Sequence, residues 1–181
     1  MQFQNPGIVL ITGIMASGKS TIAQRVAERI PRSVHLRGDV FRRMIVNGRA
    51  DLQPNLSEAD FDQLRLRYRL AAAAVDIYCQ AGFTVVCQDI IIGSSLNEVV
   101  DMLRNWPLYV IVLCPSPEVA AERDAARGKT GYTGWTPQLL DEELRLNTPR
   151  LGLWLDTSAL SVEETTDAIF ANIHEAAAGL R

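Results

Sequence analysis

Gly13-Ile14-Met15-Ala16-Ser17-Gly18-Lys19-Ser20-Thr21 contains the pattern G-x-x-x-x-G-K-[ST] in full. The run just before it, GIVLIT at 7–12, is apolar and rich in β-branched side chains, which predicts a buried parallel strand closed by Gly13. After it, Ile22, Val26 and Ile30 fall on one helical face, with Gln24, Arg25 and Glu28 on others, so a helix is expected over 19–30, stopped by Pro31. Strand, glycine loop and helix in that order form the context that gives the pattern meaning. By average composition the pattern alone arises in roughly one chain of this length in a hundred, and in fewer once both flanks are required.

The physical reason for these residue types is anion binding. The two glycines let the backbone curl, so that amide N–H groups of Gly13, Ala16, Ser17 and Gly18 converge. The first helical turn adds unpaired donors and the positive end of its dipole. Such a nest suits the β-phosphate of a nucleotide. Lys19 reaches the β- and γ-phosphate oxygens, the Ser20 hydroxyl is placed to ligate Mg²⁺, and Thr21 supports the α-phosphate.

Outward from the loop, strands and helices alternate. Further strands are expected over 33–36, 83–87, 107–113 and 151–155. Helices are expected over 39–46, from Ser57 to about Gln80, over 95–105, 117–127 and 137–146, and from Ser161 to Ala178. Asn47-Gly48 should end the second helix and Gly82 the third, while Ser57 with Asp60 and Ser161 with Glu164 have capping spacing. The predicted architecture is a single α/β domain over 1–181, with an open five-stranded parallel sheet flanked by helices. Ligand chemistry then belongs at the carboxyl ends of the strands. GKTGYTGW, between two of the helices, is the core of a candidate small lid over about 127–150.

Composition narrows the function classes. The chain has 181 residues, 48% of them hydrophobic and 22% charged, with a net charge of −3, as expected of a globular domain with a full core. Sixteen arginines stand against two lysines, which makes Lys19 conspicuous. An acidic balance gives no general attraction for an extended nucleic acid. No apolar run has the length of a membrane helix and the first residues lack a basic leader region, so a cytoplasmic protein with no membrane partner is expected. Three cysteines and two histidines lack the spacing of a disulfide framework, a zinc site or a Ser-His-Asp triad. The base-reading N-K-x-D segment of a GTPase is absent, as is the acidic pair typical of a motor ATPase.

Four residues outside the loop stand where chemistry is expected. Asp39, after the second strand, projects over the phosphate site, where a carboxylate accepts a proton from an attacking hydroxyl or holds Mg²⁺ through water. It is also read as the N-cap of its helix. Arg42, one turn on, can clamp an acceptor or be a solvated helix residue. Asp89, closing the third strand, can act through water on Mg²⁺ or orient the acceptor, with a plain turn residue as the other reading. Arg123 and Arg127, four apart, can stack on a purine and reach the transferred phosphate as a lid closes, or pair with nearby acids such as Glu118, Glu122 and Asp124. Tyr132 and Trp135 either cover a ligand or anchor the loop.

With GIMASGKST, Gly38-Asp39, AGFTVVCQDIIIG and ERDAARGK in view, the chain resembles the P-loop small-molecule kinases over nearly its whole length. The resemblance is strongest to the chloramphenicol phosphotransferase-like and AAA-33-type kinases, with zeta-toxin and polynucleotide kinases as relatives. It implies a P-loop NTPase fold of the nucleotide-kinase type, ATP and Mg²⁺ as cofactors, and a small-molecule hydroxyl such as an antibiotic or metabolite as acceptor. It implies Asp39 as the base for the acceptor hydroxyl; the reading of the residues themselves adds Lys19 and Arg127 as catalytic, Arg123 beside the nucleotide, Arg42 and Asp89 toward the acceptor, and Ser20 and Asp89 toward the metal. RGDVFRR is similar to the acceptor segment of adenylate kinase, but QDIIIG replaces the D-G-F-P-R-like segment expected there. A nucleoside, nucleotide or polynucleotide 5′-hydroxyl kinase is the alternative enzyme. An ATP-binding regulatory module without an acceptor is the alternative of another class.

Overall fold

The computed structural model describes residues 3–50, 57–126 and 134–178. Its sheet has five parallel strands: β1 (Ile8–Gly13), β2 (Ser33–Arg37), β3 (Thr84–Gln88), β4 (Leu108–Leu113) and β5 (Leu153–Leu155), in the order β2-β3-β1-β4-β5. The helices are α1 (Lys19–Glu28), α2 (Asp39–Arg43), α3 (Glu58–Gln80), α4 (Ser95–Leu103), α5 (Pro117–Ala125), α6 (Pro137–Glu142), α7 (Val162–Ala171) and α8 (Ile173–Ala176), with a π-helical turn at Glu143–Asn147 after α6.

Side-chain alternation along the strands builds a separate core on each face of the sheet. Ile8 and Leu10 of β1, Val85 and Cys87 of β3, and Val110 and Val112 of β4 join Tyr68, Ala71 and Val75 of α3 and Leu96 and Val99 of α4. Val9 and Ile11, Val86, and Ile111 and Leu113 face the other way, onto Ile22, Ala23 and Val26 of α1 and Ile169 of α7. Burial on both faces is why these strands read as unbroken apolar runs. β1 lies in the middle, hydrogen-bonded to β3 on one side and β4 on the other. From β1 the chain goes outward to β2, whereas from β3 it crosses to β4. The carboxyl end of β1 is therefore the divergence point at which open parallel sheets hold ligands.

Several boundaries differ from expectation for local reasons. The helix expected over 39–46 is only Asp39–Arg43, capped by Met44, and Gly48 with φ +74 turns the chain afterwards. Asp39 is its first helical residue, and Gly38 holds the cap position assigned to it from sequence. The helix expected over 137–146 widens after Glu142 into the π turn. The last helix is capped by Ser161 and Glu164 as expected, but it breaks at Asn172, whose amide Nδ2 bonds back to the Ala168 carbonyl. Ala177 then pairs antiparallel with Tyr109.

Of the segment expected to form a lid, 127–133 lie outside the described residues. The remainder packs on the body through Leu140 and Leu144, with Trp135 partly buried against the same core. For Trp135 this favours the anchoring role. Among the described residues, no helix is long and apolar enough to cross a membrane.

Candidate functional site

The loop between β1 and α1 has the backbone that anion binding requires. Ala16 has φ +58 and Gly18 φ +94, so the main chain alternates hand as it does in amide nests. Gly13, at φ +144, lies so close to β4 that a Cβ there would strike the Leu113 carbonyl and crowd Ser17 Oγ. Only glycine fits. Side chains of Ser57, Ser116, Thr136 and Ser161 cap α3, α5, α6 and α7. The α1 terminus has no side-chain cap and no acid in its first turn. Its donors and the positive end of its dipole are left to serve an anion.

Lys19 is 8% exposed, and its Nζ donates to the Ile14 carbonyl at 2.6 Å and lies 3.4 Å from Ser17 Oγ. These contacts fold the lysine back across the loop it serves. Ser20 and Thr21, by contrast, are exposed on the first turn. Beside them opens a cavity of about 360 Å³, lined by Ser17, Gly18, Thr21, Arg123, Thr157 and Ser161 among others. That volume is in the range of small-ligand pockets. Arg123 is held there by donating to the Thr157 carbonyl at 2.7 Å, an anchor that the expected pairing with neighbouring acids did not anticipate. Arg127 lies outside the described residues, as does Tyr132.

On the other side of the loop, charged groups from four separate elements bear on one another around Asp89. Asp89, just beyond β3, is 6% exposed, and its Oδ1 accepts from the Ile90 amide at 2.8 Å. Its Oδ2 lies 3.0 Å from Arg67 Nε of α3, an ion pair buried on both sides. The alignment is poor for a hydrogen bond, and neither atom has another hydrogen-bond partner. Burial pushes the Asp89 carboxyl above its ordinary pKa; Arg67, the Ile90 amide and Lys19 oppose that push, and the nearby Asp39 adds to it. Asp89 thus feels the charges of both Lys19 and Asp39.

Two contacts fix this corner. Thr12 Oγ1 donates to the Ile91 carbonyl at 2.8 Å and accepts from the Ile91 amide at 2.9 Å, tying β1 to the segment after β3. Gly38 packs so tightly on Asp89 that a Cβ would overlap the carboxylate. Its φ of −62 is open to any residue, so lack of space is what demands glycine.

Asp39 is half-buried at the rim, with its Oδ2 2.5 Å from Arg43 Nη2 one turn on. Arg42 donates from Nε and Nη2 to the Ala50 carbonyl at 3.1 and 2.6 Å, which steadies the segment after α2. The structure therefore gathers Gly13, Ala16, Ser17, Gly18, Lys19, Ser20, Thr21 and Arg123 around the loop and cavity, and brings Lys19 and Asp39 each within electrostatic reach of Asp89. Sequence reasoning missed Arg67. Its signal was an arginine one and two turns before Ala71 and Val75, on the stripe α3 buries.

The AAA_33 family profile (AAA domain) matches residues 8–143, from β1 into the π turn. The chain belongs to the AAA_33 family. A curated relative, a UPF0200 protein of Aeropyrum pernix, is 29% identical over 137 residues, covering 75% of this chain and 72% of the relative. A solved sugar kinase from Janibacter sp. HTCC2649 superposes with a TM-score of 0.67 at 22% identity, over 96% of this chain and 98% of the other. The APS kinase CysC of Mycobacterium tuberculosis, solved with AMPPNP and APS, gives 0.67 at 18% identity, over 94% and 98%. These likenesses establish for this AAA_33 member a P-loop kinase fold, the fold class expected from the sequence.

Proposed function

We propose that this protein is an ATP- and Mg²⁺-dependent phosphotransferase that moves the γ-phosphate to a hydroxyl of a small molecule, an antibiotic or another metabolite. The observation that supports this reading is the amide nest of residues 13–18, with Lys19 folded across it, and the Asp39 carboxylate beyond the carboxyl end of β2, close enough to Asp89 to bear on its charge. A binding module needs the nest, but it has no use for a second carboxylate at the carboxyl end of the sheet.

The residues present suit both cofactors. The exposed Ser20 hydroxyl and the Asp89 carboxylate, whose Oδ2 is ion-paired with Arg67 but makes no hydrogen bond, are oxygen donors of the kind a hard cation takes, the latter through water. When bound, Mg²⁺ supplies positive charge that neutralises the phosphate oxygens. The nucleoside occupies the cavity beside Thr21, with Arg123 against its base, and the amides of the nest hold the phosphates. Lys19 then exchanges the Ile14 carbonyl for phosphate oxygens and stabilises charge as it develops on the transferring group. Asp39 orients the acceptor hydroxyl and takes its proton as that oxygen bonds to phosphorus. Arg43 steadies the carboxylate, Arg42 shapes the acceptor side by holding residue 50, and Arg127 is assigned to the transferring phosphoryl group.

The test is a mass-shift screen with ATP, Mg²⁺ and pooled hydroxyl compounds. Lys19→Ala should lower transfer by roughly 10²–10³-fold with an unchanged circular dichroism spectrum. Asp39→Asn should keep ATP affinity and lose roughly 10²–10⁴-fold in turnover. Normal turnover in Asp39→Asn removes the base assignment, and ATP binding with only slow, acceptor-independent hydrolysis moves the protein to a regulatory module.

A further inference from the structure

The apolar side chains of α3 form two stripes on opposite sides. Tyr68, Ala71, Val75 and Cys79 face the core. On the far side Leu66, Leu70 and Ile77 are 43%, 41% and 67% exposed, and Ala73 is exposed between them. The intervals 66, 70, 73 and 77 are four, three and four residues. This is the a/d spacing of a coiled-coil seam, confined to an arc of about 60° at 100° per residue. An outer face of a solvated helix ordinarily has polar residues at these positions.

We propose that this face pairs with a second copy of the chain, α3 against α3′ in antiparallel orientation about a two-fold axis. The seam is complementary to itself in that orientation. Setting Leu66 opposite Ile77′ places Leu70 opposite Ala73′, and symmetry repeats both layers, so every large residue of the stripe meets a partner and Leu70 meets the small one. The charges flanking the seam fit the same register. Antiparallel coils bring g positions together, and here they are Arg69 and Asp76, which face each other twice across the axis. The exposed Arg69 is available for that contact, and Asp76 is half-buried with Oδ1 accepting from Trp106 Nε1 at 2.6 Å, which fixes the carboxylate and leaves Oδ2 for the partner's Arg69. A parallel pairing would set Arg69 against e positions, which on this helix are Arg67 and Ala74. Charge thus selects the antiparallel arrangement. The helix is 23 residues, about 34 Å, long enough for four layers without the acidic first turn at Glu58 and Asp60. None of these side chains belongs to the phosphate loop or its rim.

Sedimentation velocity on the full chain, between about 5 and 200 µM, tests the pairing. A concentration-dependent dimer is expected. Ile77→Asp and Leu70→Asp should each raise its dissociation constant at least about tenfold. Arg69→Asp should do the same, and Arg69→Lys should not. Circular dichroism should be unchanged throughout, since each altered side chain is already exposed. Asp76→Asn, which keeps an acceptor for Trp106, should weaken the dimer and reduce its salt sensitivity. A chain that stays monomeric at the highest concentration overturns the inference, as does a dimer indifferent to Ile77→Asp and Leu70→Asp. A dimer that loses affinity with those two but ignores Arg69→Asp overturns the antiparallel register.

Discussion

Replacing Arg67 with Met takes a positive charge out of the core while keeping a side chain of similar reach. The side chains of Arg67 and Asp89 are 8% and 6% exposed, with Nε and Oδ2 3.0 Å apart. At that separation, and an effective dielectric of about 20, the attraction is roughly 5–6 kcal/mol. Losing it leaves Asp89 either charged among apolar neighbours or protonated. Protonation sets the ceiling. Holding a carboxyl neutral costs about 1.4 kcal/mol for each pH unit above its ordinary value near 3.9, hence about 4 kcal/mol at pH 7 and about 1.5 kcal/mol at pH 5. Burial has already raised the Asp89 pKa in the native chain, and removing Arg67 raises it further.

A carboxyl whose folded-state pKa is raised favours the fold below its unfolded value and loses that contribution as pH rises through the folded value. The stability gap between native chain and variant therefore widens with pH. Because native Asp89 already bears part of that cost, urea unfolding followed by circular dichroism should give a gap below about 1.5 kcal/mol at pH 5 that widens toward the ceiling of about 4 kcal/mol at pH 7. Adding Asp89→Asn to Arg67→Met should recover most of the loss at the higher pH. A gap below about 1 kcal/mol that is the same at both pH values would refute the reasoning, because the pair would then not be buried as described.

Gly38→Ala should destabilise by about 1–3 kcal/mol through overlap with Asp89, against a gain of a few tenths from a stiffer unfolded chain; a neutral result in urea unfolding means that Asp89 lies elsewhere. The three cysteines are buried, and burial pushes the thiols of Cys79 and Cys87 up to about 11 and about 12, and that of Cys114 upward as well. At pH 8 an aromatic disulfide reagent should therefore label none of them in the native chain and all of them in guanidinium; rapid native labelling contradicts this packing. Arg123→Ala should weaken ATP binding by roughly tenfold in calorimetry, while unchanged affinity would place the nucleoside outside the cavity.

The fold was legible in this sequence because two local codes agreed with the global arrangement. Doubly buried strands read as plain apolar runs, and the capping boxes at Ser57 and Ser161 were visible as three-residue spacings. The glycine loop was legible for the same reason, since a loop with amides convergent on an anion needs glycine at fixed positions. The charged corner beyond β3 was harder. Arg67 and Asp89 are 22 positions apart and meet only through packing of α3 on β3, which no local pattern encodes. Likewise Arg123 finds its anchor at Thr157, across the β5 loop, although nearer acids were available along its own helix. The short α2 and the π turn show the remaining limit. Periodicity placed helices there, but tertiary contacts, such as Thr148 Oγ1 accepting from the Gly93 amide at 2.7 Å, set where they stop.

The position of β1 bears on how such a scaffold can be redesigned. Because the phosphate loop grows out of the strand with neighbours on both edges, its geometry cannot drift without unzipping the middle of the sheet. The segments around α2 and α6 lie off that trunk, joined to it through core contacts of Phe41, Trp135, Leu140 and Leu144. A graft that exchanges 39–50 or 134–150 between family members therefore has to carry these core-facing residues with it.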